Sequence, residues 1–222
     1  FAKVAIVIAL AKYFESGKVK FTEWSNAALA WRYKAAAMGV SYLPCRTMLG
    51  TDTFEQSAAK EVLCPFTGAK YAAVPALSPD VAMIHVHRCD VYGNCQIDGI
   101  NISDADLAKA SKHVIITTEK IVPNEEIRRQ PWATTIPAWC VDAVIQVPYG
   151  SYPGCMEKEY FSDEDHFALW LKKEKDPEEF KAFIKKYILD TKNFSEYLEL
   201  CGGTSRMNDL RFDELMVNPD TK

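Results

Sequence analysis

Residues 71–99 read YAAVPALSPDVAMIHVHRCDVYGNCQIDG. The segment decides the fold because it runs from a loop through a short apolar stretch into a tight turn. Val81 to His87 is apolar enough to predict a strand buried on both faces, as strands of a parallel sheet are. Gly93-Asn94 then marks the turn that ends it.

Helical and extended patterns alternate on either side. Upstream, Trp24, Ala27, Ala28, Trp31, Ala35 and Met38 fall on one helix face, which predicts a helix over Trp24–Met38, capped by Thr22 and stopped at Gly39. Ser41–Cys45 reads as a short strand and Thr51–Val62 as a helix. Cys64–Ala76 reads as loop, with Pro65, Gly68 and Pro75 as punctuation. Downstream, Ser103 and Asp106 suggest a capping box opening a helix that runs to Lys112. Val114–Thr118 is β-branched throughout and reads as a central strand. Asn124–Arg129 is a short polar helix or turn. Val141–Val147 is a further strand, ended by Pro148-Tyr149-Gly150. The last third is helical. Asp176-Pro177-Glu178-Glu179 supplies a cap, a first-turn proline and carboxylates at the positive end of the helix dipole. Phe180, Phe183, Ile184, Tyr187 and Ile188 follow as a buried stripe. Asn193 caps another helix, which stops at Gly202-Gly203. Phe1–Tyr13 is too uniformly apolar to tell strand from helix. The alternation predicts an α/β fold: an open, mostly parallel sheet flanked by helices, with a helical C-terminal third.

Composition removes several function classes. The chain has 222 residues, 48% apolar and 25% charged, with a net charge of −4. That balance gives no basic surface for nucleic acid. No apolar run reaches the length of about 18 residues that spans a membrane. FAKVAIVIALA at the start mimics a short secretory signal but carries one lysine; a core element is the simpler reading. The seven cysteines are odd in number and lack CxxC spacing, which fits reduced thiols in the cytoplasm better than a disulfide scaffold.

The residues alone form no complete active site. His85, His87 and Cys89 share one strand face, with Cys95 beyond the turn, but the spacing matches no established zinc pattern. A packed face without metal is the expectation. Cys140 and Cys155 flank a loop without a GxSxG element, and free cysteines are usually small buried hydrophobes. GxGxxG and GxxxxGK[ST] phosphate cradles do not occur. Arg128-Arg129, beside Glu125 and Glu126, reads as a solvated ion-pair cluster.

The opening segment is also similar to a signature of family I CoA-transferase A subunits, the glutaconate CoA-transferase group. Further stretches resemble the same family in the same order: ESGKVKFTEWSN (15–26), DADLAKASKHVIITTEKIVPNEEIRRQP (104–131), IPAWCVDAVIQVPYGSYPGC (136–155) and EYLELCGG (196–203). The resemblance implies one A-subunit-like domain over 1–222. The resemblance further implies a domain that is N-terminally incomplete relative to the family, whose opening strand and Gly-Gly-Phe loop are not found in these residues.

The family's chemistry moves CoA between an acyl-CoA and a free (di)carboxylic acid, with a dicarboxylate-type transferase as the leading reading, by a ping-pong route through covalent intermediates. The attacking glutamate belongs to a B subunit, and its Ser-Glu-Asn-Gly motif is not found here. No catalytic residue is therefore expected on this chain. The resemblance implies a cytoplasmic hetero-oligomer with CoA as substrate and no tightly bound cofactor. Asn26, at the start of the first helix, is expected to face substrate; its alternative role is to satisfy helix N-terminal amides. Enzymes of the same fold that open steroid-derived rings by CoA-ester hydrolysis align a glutamate with Asn26. An amide is no general base at neutral pH, so Asn26 favours transfer over that hydrolysis. A non-catalytic scaffold is the third reading. Tyr149 and Ser151, in the turn after a strand end, are further substrate-binding candidates, because ligands lie beyond the carboxyl ends of parallel strands; a purely structural turn is the alternative.

Overall fold

The computed structural model describes residues 22–215. The apolar run Phe1–Tyr13, with its signal-like segment, lies outside them. The described residues gather into two compact units, 22–148 and 149–215. Among them, no helix is long and apolar enough to cross a membrane.

The first unit opens with α1 (Asn26–Ala37), followed by β1 (Tyr42–Cys45), α2 (Asp52–Glu55), β2 (Lys60–Leu63) and β3 (Lys70–Pro75). The three strands form an antiparallel sheet in the order β1-β3-β2. Two expectations are corrected here. The helix over Thr51–Val62 is a single turn, capped by the Thr51 hydroxyl (3.2 Å from the Phe54 amide), and its second half is strand β2. The loop over Cys64–Ala76 contains β3, the central strand of this sheet. Pro65 and Gly68 bound the β2–β3 turn, which is closed by Cys64 N–H to Ala69 O and Gly68 N–H to Cys64 O. Cross-strand pairing overrides the punctuation: Ala72 and Val74 are buried against Ala28, Cys45 and Met48.

The second sheet has the order β7-β5-β4-β6-β8. Its strands are β4 (Val81–Cys89), β5 (Cys95–Gln96), β6 (His113–Ile121), β7 (Thr134–Ile136) and β8 (Ala143–Gln146), with α3 (Asp104–Ala110) and α4 (Asn124–Arg129) between them. The pairs β4–β6 and β6–β8 are parallel. The pairs β4–β5 and β5–β7 are antiparallel. The sheet is therefore mixed: β4, β6 and β8 run parallel through crossover connections, β4–β5 is a short hairpin, and β5–β7 pairs strands that are far apart in the chain, with α3, β6 and α4 between them.

In register, Ala82 faces Val114 and Ile84 faces Ile116. These side chains, with Val86, Ala108 and Ile136, make the core. Each buried Val or Ile contributes about 1.5–3 kcal/mol. The expectation that β4 is buried on both faces fails at its start, where Val81 and Met83 remain 52% and 41% exposed. The Ser103 capping box does not form either. Ser103 sits at φ −139°, ψ −1° and makes no side-chain cap bond, since an N-cap needs extended backbone.

The second unit holds α5 (Glu164–Lys173), α6 (Pro177–Ile184), a π-turn at Lys185–Leu189, α7 (Phe194–Leu200) and α8 (Gly203–Leu215). The predicted caps are in place. The Asp176 carboxylate accepts from the Glu178 and Glu179 amides at 2.8 and 3.0 Å. Asn193 accepts from the Glu196 amide at 3.0 Å. Tyr152, Met156, Tyr160, Tyr187, Tyr197, Met207 and Leu210 form the core of this unit.

Candidate functional site

The turn that carries Tyr149 and Ser151 is held by its own backbone. Tyr152 N–H donates to Tyr149 O at 3.0 Å, and Gly154 N–H donates to Ser151 O at 2.8 Å. Tyr149 adopts φ +61°, a left-handed conformation uncommon for a bulky residue. Its ring packs on Tyr160 with centroids 5.1 Å apart. The Tyr160 hydroxyl accepts the Ser151 N–H at 3.0 Å. The Ser151 hydroxyl has a long contact to the Met156 sulfur, 3.8 Å. A buried tyrosine therefore fixes the turn, and Ser151 lies in the wall of a cavity.

That cavity has a volume of 240 Å³ and is lined by Gly150–Gly154 together with His166, Phe167, Trp170, Phe183, Ile184, Tyr187, Ile188 and Tyr197. Four rings surround the His166 imidazole, with centroids at 5.2 Å (Tyr187), 5.7 Å (Phe183), 5.8 Å (Tyr152) and 6.1 Å (Tyr197). The π-turn brings Tyr187 and Ile188 onto this wall. Burial lowers the His166 pKa, with the Asp163 charge opposing it, so the ring is neutral at pH 7. Burial raises the Cys201 thiol, against hydrogen bonds from Tyr152 and Tyr197. A neutral thiol is a poor nucleophile. The cavity is suited to binding an apolar group, not to covalent attack.

Asp163 anchors the cavity's base. It caps α5 through the His166 amide (3.1 Å), accepts the Tyr152 hydroxyl (2.7 Å), and pairs with Arg206 at 2.7 and 3.3 Å. Burial pushes its pKa up, but Arg206, Tyr152 and the His166 amide outweigh that and hold it below the ordinary range. Sequence reasoning missed this assembly. The only local signal is the Asp163 cap before Glu164 and Asp165.

Asn26 lies in the other unit, as the exposed first residue of α1. The cap is Ser25, whose hydroxyl accepts the Ala28 amide at 3.2 Å. Neither Thr22 nor Asn26 is the N-cap. Ser25→Ala is expected to cost about 1 kcal/mol and Asn26→Ala less than about 0.5 kcal/mol, read by urea unfolding. The reverse order would restore the capping role to Asn26.

At the carboxyl ends of β4 and β6 stands a constellation of which the sequence reading gave only the Gly93-Asn94 turn. The Asp90 carboxylate accepts the Tyr92 and Asn94 amides (3.0 and 2.9 Å) and the side-chain amides of Asn94 and Asn124 (2.9 and 2.7 Å). Burial raises its pKa, but these donors outweigh it and the carboxylate stays ionised. The loop tip presents Val91 and Tyr92 to solvent. Asn94 Oδ1 in turn accepts the Ala138 amide at 3.1 Å.

The histidine and cysteine face of β4 is engaged within the protein. His85 contacts Thr117 at 2.9 Å and Glu119 at 2.7 Å. His87 Nδ1 accepts the Asp98 amide at 3.1 Å. Cys95 and Cys89 sulfurs are 3.2 Å apart. Among the described residues, no three His, Cys, Asp or Glu side chains converge as a metal site.

Residues 5–147 match the model of the coenzyme A transferase family. An uncharacterised protein of Archaeoglobus fulgidus is 50% identical over 92% of this chain, which spans 46% of that relative. The A subunit of glutaconate CoA-transferase from Acidaminococcus fermentans is 36% identical over 89% of this chain and 67% of its own length. The crystal structure of glutaconate CoA-transferase from the same organism superimposes with a TM-score of 0.83 at 33% identity, covering 91% of this chain and 69% of that one. The chain thus spans about half to two thirds of the length of the proteins it matches.

Proposed function

We propose, from the premise that the chain belongs to the coenzyme A transferase family, that it is the A subunit of an enzyme moving CoA from an acyl-CoA to a free carboxylic acid. The agreement in fold with a CoA-transferase over nine tenths of the chain carries this reading. The nucleophile is a glutamate on a partner B subunit. This fits a candidate site whose own ionisable groups are either neutral (His166, Cys201) or tied into an ion pair (Asp163). The A subunit supplies binding surface through Asn26, Tyr149 and Ser151. CoA is a substrate, no cofactor is tightly bound, and the complex works in the cytoplasm.

The test uses the chain purified from its source together with every stoichiometric co-purifying chain. Transfer predicts exchange of a radiolabelled acid into acyl-CoA with double-displacement kinetics. Asn26→Ala and Ser151→Ala are each expected to lower kcat/KM about tenfold, the loss of one substrate hydrogen bond of about 1.5 kcal/mol. Consumption of the CoA ester without an acceptor acid would instead identify a ring-opening-type hydrolase. Absence of both activities with a stable complex would leave the scaffold reading.

A further inference from the structure

We propose that the cavity behind Ser151 receives the chain of the acyl group, and that this chain is apolar and uncharged: a small aromatic or branched aliphatic monocarboxylic acid. The inference rests on the CoA-transfer reading and narrows it. Size is the first argument. An apolar cavity of about 150 Å³ holds benzene, whereas sites for whole ligands start near about 300 Å³. At 240 Å³ the cavity takes a phenyl ring or a branched five-carbon chain and excludes the CoA nucleotide.

Charge is the second argument. A dicarboxylic acid would bring a second carboxylate into the cavity, and burying a carboxylate without a cation is strongly unfavourable. No lysine or arginine is among the lining residues. Arg206 is committed to Asp163 and Asp165. Lys186 lies over the Tyr187 ring at 4.7 Å and lines a separate groove with Asp190, Glu196 and Glu199. His166 is neutral, and Asp163 adds a negative potential that opposes a second anion. The walls offer rings at van der Waals range, which favour an aromatic or branched hydrocarbon.

Binding to the full chain is measured by calorimetry with phenylacetate, 4-methylpentanoate and glutarate. Either monocarboxylate is expected to bind at least about tenfold more tightly than glutarate, since the missing cation alone is worth that much. Ile188→Phe fills the cavity and should abolish binding. Phe183→Leu keeps the wall apolar and leaves the cavity open, so it serves if the first variant does not fold. It should weaken phenylacetate about three- to tenfold relative to 4-methylpentanoate through loss of a ring contact. Glutarate binding as tightly as phenylacetate, no binding of either monocarboxylate, or unchanged binding in folded Ile188→Phe would each overturn the proposal. Label exchange by the complex is the separate arm. If the monocarboxylates bind as expected but the complex exchanges no acid, the cavity's preference stands and the transfer reading falls.

Discussion

Asp163→Ala is expected to destabilise the helical unit by about 3 kcal/mol, the lower end of the roughly 3–5 kcal/mol that removing one member of a buried ion pair costs. The carboxylate is 3% exposed and serves three partners at once: the α5 amide of His166, the Tyr152 hydroxyl and the Arg206 guanidinium. Its loss leaves the opposite charge uncompensated. The lower end applies because Arg206 stays partly exposed and can turn to water or Asp165. Tyr152 has less escape, because its other side-chain partner, Cys201, offers only a weak sulfur acceptor. The tyrosine is buried, and its hydroxyl loses the Asp163 acceptor. Asp163→Asn keeps the cap and an acceptor for Tyr152 but loses the charge, so about half the loss is expected. Urea unfolding followed by far-UV circular dichroism measures both.

The pH dependence gives a second readout of the same group. The folded-state pKa of Asp163 is depressed. Its charged interactions therefore contribute fully above the unfolded value of about 4 and fade as pH falls through the lower folded value. The gap between the native protein and Asp163→Asn should be constant at neutral pH and close below about pH 4. A gap that persists at low pH would assign the loss to packing instead of charge. Because Asp163 also fixes the first turn of α5, which carries His166, the alanine variant should weaken cavity binding as well.

How much of this was legible follows from the range of each interaction. Asp176 and Asn193 were readable because a cap involves side chain and amides within three residues. β6 was readable because Val114–Thr118 is β-branched along its length. β3 was not, since Pro65, Gly68 and Pro75 mark loops locally while the strand exists through pairing with Tyr42–Cys45 and Lys60–Leu63. The Pro148-Tyr149-Gly150 turn announced itself, but the cavity beside it did not. Phe183 and Tyr187 belong to a helical stripe that the sequence displays, whereas Tyr152, His166 and Tyr197 reach the same wall from separate segments. Ser103 and Asp106 had the right spacing and the wrong backbone, which spacing does not reveal. The Asp90 knot was half visible: Asp90 and Asn94 flank a Gly turn in the manner of an Asx turn, whereas Asn124 joins from 34 positions away.

That knot sets the last expected result. Asp90→Ala should cost about 4 kcal/mol, more than an ordinary buried polar substitution. The carboxylate is fully buried, and its removal strands two backbone amides and two side-chain amides. Each unsatisfied donor costs about 1–3 kcal/mol, and partial relaxation of the exposed tip returns some of the sum. Asp90→Asn separates charge from shape. The new amide fits the same volume but turns its own N–H groups toward at least one of the Asn94 and Asn124 amides, so donor faces donor and about 2 kcal/mol is lost. Hydrogen exchange locates the damage: the Tyr92 and Asn94 amides, both held by Oδ1, should lose protection in Asp90→Ala and keep most of it in Asp90→Asn, while the β6 core retains its own in both. The tip lies at the carboxyl ends of the parallel strands β4 and β6, the side on which ligands bind sheets of this kind. If Asp90→Ala unfolds within about 1 kcal/mol of the native protein and the two amides stay protected, the Asp90 carboxylate is not what holds the loop, and the backbone bonds Asp90 N–H to Asn94 O and Gly93 N–H to Asp90 O hold it together with the Ala138 amide on Asn94.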